Sequence, residues 1–258
     1  MYSKLTDLVK ELKENKQIVV KHFHIPESSE NEIKNVIASL PYALDDSIIQ
    51  FYKEFGGFQL QWIHTENPRF EGNHDVINNN QELEDTYHLE DYFVNDGSVF
   101  IQPIHRVFFT DGFDEMYRFA SASDKSRAIE MYTEMKQDFA GKSMSVLDFM
   151  RNTKTFDLFS KDLDMAFYID GTPNPPVILG QDHQACYTDS RITDFKTYID
   201  FLCYSKGIIQ ARANYYTEYK GHEKSKFTIK NQEKAGVIDL SVYDKENSCV
   251  KLPFEKKW

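Results

Sequence analysis

The chain reads as an α+β protein: a mixed, mainly antiparallel β-sheet covered by helices on one side, with a helical insertion in its middle. Three observations carry that reading. Apolar residues recur at helical spacing around Leu5, Ile33, Ile48 and Phe195. Between those stretches lie short runs that are β-branched or alternate apolar with polar residues, as at 17–23, 58–62 and 165–169. Glycine and proline signals, such as Gly56-Gly57 and Gly171-Thr172-Pro173-Asn174, fall where one kind of run gives way to the next.

Taken in order, Leu5, Leu8, Val9 and Leu12 predict a helix over 3–14, with Ser3 as its cap. Residues 17–23 read as a strand. Ser28 and Ser29 precede Ile33, Val36, Ile37 and Leu40, a second helix that stops at Pro41. Asp45 or Asp46 caps a third, whose residues Ile48, Ile49, Phe51, Tyr52 and Phe55 share one broad face. Gly56-Gly57 ends it, and Phe58, Leu60 and Trp62 then alternate with Gln59 and Gln61 as a half-buried strand.

Residues 98–110 are apolar and β-prone, with a break at Pro103. A helix is predicted over 124–139 and a shorter one over 146–150, separated by Gly141. Strands follow at 165–169 and 177–179 about the 171–174 turn, with Pro175-Pro176 outside the paired ladder. Residues 185–188 read as a short strand, and Asp189 or Ser190 leads into a helix over 192–204 that Gly207 ends. A helix through Tyr219 and terminal strands between Phe227 and Val242 complete the expectation. The division expected is a domain over 1–220, with inserted helices around 124–152, and a C-terminal extension over 221–258.

The unit at 40–63, LPYALDDSIIQFYKEFGGFQLQWI, resembles the signature of the SUKH superfamily: a leucine-proline before a helix, an aromatic helix end, a glycine pair and a strand. The stretch 156–207 is similar to that family's closing half, with Phe167 and Tyr168, the Asp170-Gly171 turn, residues 177–179, and a helix bearing Phe195, Tyr198 and Leu202. The family holds fungal cell-wall-synthesis regulators and many bacterial immunity proteins. The resemblance implies a non-enzymatic binding protein that occludes a cognate toxin, with a regulatory or scaffold protein of the same fold as the alternative. The helices at 124–152 interrupt the strand succession the family would show.

Charge narrows the partners. A formal net charge of −11 opposes generic binding to nucleic acid or anionic membrane, both of which need a cationic surface, and favours a basic protein partner. Residues 70–105 contain no Lys or Arg but eight acidic side chains: Glu71, Asp75, Glu82, Glu84, Asp85, Glu90, Asp91 and Asp96. Such a run is either a solvated loop or a docking surface. As the docking surface, its expected contacts are Glu82, Glu84, Asp85, Glu90 and Asp91. No apolar run is long enough for a membrane span, and the charged amphipathic N-terminus lacks a signal-peptide core, so a cytoplasmic location is expected. Three scattered cysteines, Cys186, Cys203 and Cys249, suit a reducing compartment and give no zinc spacing.

Catalytic patterns are sparse. Gly72-Asn73-His74-Asp75 matches a fragment seen in calcineurin-like metallophosphoesterases, and His22 and His24 share one side of a strand as a metal pair would. Those enzymes open with an Asp-x-His, where this chain has Lys21-His22-Phe23-His24, so a metal-dependent hydrolase stands as the second alternative. His183 and Cys186 lie close in sequence, but nothing orients the imidazole. No nucleophile elbow, Walker loop or dinucleotide fingerprint occurs. The expectation is therefore no catalytic, cofactor or metal residues, and the sequence leaves the oligomeric state open.

Overall fold

The structure, a computed structural model, describes residues 2–65, 96–118, 120–139, 141–159, 163–181 and 192–217. Helix α1 (Ser3–Glu14) buries Leu5, Leu8, Val9 and Leu12 and leads to strand β1 (Ile18–His24). Ser3 is not its cap. The N-cap is Tyr2, which makes no side-chain capping bond and instead donates its hydroxyl to the Ser47 carbonyl at 2.7 Å. Tertiary packing, not a local cap, holds this helix end.

Helix α2 (Glu30–Ser39) starts at Ser29, whose hydroxyl accepts from the Glu32 N–H at 3.1 Å. Helix α3 (Asp46–Phe55) is capped by Asp45, which accepts from the Ser47 N–H at 2.8 Å. Gly56 then takes φ +66°, and a Cβ there would collide with the Pro26 carbonyl, so both conformation and space require glycine. Strand β2 (Phe58–His64) follows at once. It is buried along its whole length, with Gln59 and Gln61 as enclosed as Phe58, Leu60 and Trp62. The alternation marks two different faces, not an inside and an outside.

Strand β3 (Gly97–Ile101) is followed by helices α4 (Ile104–Phe109), α5 (Gly112–Met116) and α6 (Ala122–Glu134), strands β4 (Lys136–Phe139) and β5 (Lys142–Ser145), helix α7 (Val146–Asn152) and strand β6 (Thr153–Asp157). Two expectations change here. The β-prone run after Pro103 is helical, because Ile104, Val107 and Phe108 sit at helical spacing and all face the core. The predicted helix over 124–139 stops at Glu134, and its last residues form a β4–β5 hairpin that turns through Gly141 at φ +73°.

Strands β7 (Leu163–Tyr168) and β8 (Val177–Gln181) pair as expected about the 171–174 turn. Helix α8 (Phe195–Tyr204) starts later than predicted: Asp194 is its cap, accepting from the Thr197 N–H at 2.7 Å, while Thr193 bridges back to Val177. Gly207 at φ +67° leads into helix α9 (Ile209–Thr217). The strand expected over 185–188, the terminal strands and the extension over 221–258 lie outside the described residues.

The six-stranded sheet runs β1-β2-β3-β6-β7-β8, and each of its pairings is antiparallel, so the mixed character expected is not seen among the described strands. Its front face carries the main core: Leu60, Trp62, Val99, Ile101, Met165, Phe167 and Leu179 meet the apolar sides of α1, α3, α4, α8 and α9. The cover is not one-sided. On the rear face of β7 and β8, Ala166, Tyr168 and Ile178 pack with Phe139 and Phe149 from β4 and α7. The inserted segment is thus what seals that face.

Candidate functional site

The acidic segment forms the connection from β2 to β3. Glu82, Glu84, Asp85, Glu90 and Asp91 lie outside the described residues, as do His74, Asp75, His183, Cys186 and Cys249. Asp96, its last member, is described, and it is committed to structure: its carboxylate accepts from the His64 N–H at 2.7 Å and its carbonyl from the Ile209 N–H at 3.2 Å. The segment leaves and returns at paired strand ends, since Gly97 is in register with Trp62.

His22 and His24 do share one face of β1, but their settings differ. His22 has no exposure, whereas His24 is partly exposed. The His22 ring meets the Gln59 amide oxygen at 3.0 Å, so Nε2 carries the hydrogen and Nδ1 is left as an acceptor. Burial holds its pKa below the usual imidazole value, against the opposing Gln59 bond. Register places His22 beside Gln61, and Gln61 beside Ser98, in one row across β1, β2 and β3. His22 Nδ1, Gln61 Nε2 and Ser98 Oγ are each closed to water and unpartnered. The rear of the sheet is therefore apolar under α7, while at β1–β3 it carries this polar row beside Ile63 and Phe100.

A second polar cluster lies in the front core, and nothing in the periodicity announces it. Asp157 of β6 and Arg212 of α9 are both without exposure and pair at 2.7 Å. The carboxylate also accepts from the Phe100 N–H at 2.7 Å and from the Tyr198 hydroxyl. Arg212 donates further to the Ser98 and Gly207 carbonyls, and its guanidinium lies 4.0 Å from the Phe159 ring centre. Burial pushes the carboxyl upward and Arg212 pulls it back. The Phe100 and Tyr198 donors and the Arg212 cation all favour the ionised form, and protonation would strand Arg212. The one signal that could have found this pair is a charge inside each of two apolar runs, Phe156-Asp157-Leu158-Phe159 and Ala211-Arg212-Ala213.

An open cleft of about 280 Å³ lies where the β4–β5 hairpin meets the ends of β7 and β8. Phe139, Tyr168, Ile169 and Pro176 line it, with Lys142 and Asp170 on its rim. Its aromatic wall is fixed: the Phe139 and Tyr168 ring centres are 4.5 Å apart, and Phe149 backs them at 5.1 and 5.3 Å. Asp170 accepts from both the N–H and the hydroxyl of Thr172 through Oδ1 alone.

Cys203 is partly buried, and its thiol is pushed up to about 12, mainly by burial, which leaves it unreactive at neutral pH. Among the described residues no three His, Cys, Asp or Glu side chains come together as a metal site, and no helix is long and apolar enough to cross a membrane. Compared with known proteins, the chain matches no family model, no curated protein and no solved structure.

Proposed function

We propose that this chain is a non-enzymatic protein-binding module of the SUKH type, acting in the cytoplasm as an immunity protein that occludes a cognate bacterial toxin. The observation that carries the reading is the charge asymmetry of residues 70–96 within the β2–β3 connection, eight carboxylates without one Lys or Arg in a chain of net charge −11. Such a surface attracts a basic protein and raises its association rate, while shape complementarity then sets how long the complex lasts. The toxin's basic face, such as the substrate channel of a nuclease domain, would be covered by the docked acidic segment.

The described polar groups support this division of labour. His22, Asp157, Arg212 and Cys203 are all withdrawn into the protein, and each has a packing or pairing role. The 40–63 unit is likewise occupied with the core, since Phe51, Tyr52, Phe58 and Trp62 have no exposure. Recognition then falls to other residues, and the acidic connection is the stretch whose charge is most distinctive.

The test is to change Glu82, Glu84, Asp85, Glu90 and Asp91 together to lysine and measure protection of cells expressing the toxin, with the association rate of the purified pair. The reading expects protection to be lost and the rate to fall about ten-fold or more at low salt. An unchanged rate with full protection would place the docking surface elsewhere.

A further inference from the structure

We propose that the cleft between the β4–β5 hairpin and the ends of β7 and β8 seats an arginine side chain of the protein partner, its stem along Phe139, Ile169 and Pro176 and its guanidinium at Asp170. This rests on the reading that the partner is a basic protein. At about 280 Å³ the cleft falls just below the usual range for small-molecule sites, which suits one long side chain better than a whole ligand. Its wall is preorganised by the Phe139–Phe149–Tyr168 packing, so little ordering is needed on binding. Aromatic rings beside a carboxylate favour guanidinium over ammonium, because the planar, weakly hydrated head tolerates an apolar wall.

The charges point the same way. Asp170 uses Oδ1 for Thr172, and among the described residues Oδ2 has no partner. Burial raises the pKa of the Tyr168 hydroxyl, and Asp170 and Asp148 add to it, so two carboxylates lie near the hydroxyl of this lining residue. Lys142 is the opposing charge on the rim; it is exposed and pairs with no described carboxylate, so it can swing aside. The loop carrying Asp170 is itself anchored, because the Pro173 carbonyl accepts from the Asp45 N–H at 2.6 Å. The rim is thus tied to the start of α3. By contrast, the His22–Gln61–Ser98 row is closed to water and offers a ligand no opening.

The experiment is an NMR titration of the full chain with N-acetyl-L-arginine amide, against the neutral isostere N-acetyl-L-citrulline amide. Saturable shifts of the Phe139, Tyr168, Ile169 and Asp170 amides are expected with the arginine probe, and binding about two- to five-fold weaker with citrulline. Asp170→Asn, which keeps the turn to Thr172, should remove that preference, and Lys142→Ala should strengthen arginine binding. No saturable shift, equal binding of the two probes, or an arginine preference that survives Asp170→Asn would overturn the proposal. Any of these would leave the acidic-segment reading standing, since that reading is tested separately by the five-residue charge reversal.

Discussion

Arg212 and Asp157 join α9 to the sheet through a fully buried ion pair. Removing one partner leaves the other charged and enclosed, which costs about 3–5 kcal/mol, whereas replacing both with apolar residues of similar volume relieves much of that loss. Arg212→Met is therefore expected to lower unfolding stability by that amount in a urea titration. Arg212→Met combined with Asp157→Leu should be the more stable of the two variants, less any loss from freeing the Tyr198 hydroxyl and the Phe100 N–H.

His22 gives a signed pH dependence. Its folded pKa lies below the unfolded value of about 6.5, so the unfolded chain takes up a proton first as pH falls. The stability from neutral, buried His22 is complete above about pH 6.5 and declines below it, until the folded pKa is reached. His22→Gln, which keeps a donor toward Gln59, should flatten the stability profile below about pH 6.5. A profile as steep as that of the parent chain would mean that other groups set it.

These two sites mark how far single residues could be read from the sequence. Trp62 was legible as core, and it has no exposure, with its indole N–H donating to the Lys206 carbonyl at 2.8 Å. Arg212 was not, because periodicity reports which face is buried and not which charges meet across it. Asp157 and Arg212 are 55 residues apart, and only the fold brings them together.

At the scale of elements, the caps of α2 and α3 and the glycine stop of α3 were legible, whereas the caps of α1 and α8 fall at Tyr2 and Asp194 and not where the sequence suggested. Asp45, Ser29 and Gly56 do what their residue types suggest. Gly56→Ala would force an L side chain into positive φ against the Pro26 carbonyl, so a loss of at least about 1–3 kcal/mol in thermal or chemical unfolding is expected. Ser145, the cap of α7, accepts from the Asp148 N–H at 3.0 Å, and Ser145→Ala should cost about 1 kcal/mol.

Elements failed where tertiary packing outweighed local preference. The run from Ile104 to Phe109 is rich in β-formers, yet the core selects the helical spacing of Ile104, Val107 and Phe108. Residues 136–139 look helical by continuity with α6, but Gln137 and Phe139 face inward at a period of two, and Phe139 packs against Tyr168. The partner that makes this a strand, β5, begins only after Gly141. The segment between β3 and β6 has a visible packing role, since Phe139 and Phe149 cover Ala166, Tyr168 and Ile178 on the rear face of β7 and β8.

For the whole molecule, the α+β class and the antiparallel sheet were legible because each strand is short, bounded and paired with a neighbour reached by simple turns or excursions. The acidic segment was legible as a charge pattern, and its five expected contact residues lie outside the described residues. A net charge of −11 makes association with a basic partner sensitive to ionic strength, because screening over about 10 Å at 0.1 M salt weakens steering.

The most direct measurement is parallel affinity capture from the native organism with the full chain and with the Glu82, Glu84, Asp85, Glu90 and Asp91 lysine variant, identifying retained proteins by mass spectrometry. The account predicts a basic protein bearing a toxin domain, held by the parent chain, released as salt rises, and not held by the variant. Equal retention by both chains, or a retained partner whose contact surface is acidic, would contradict it.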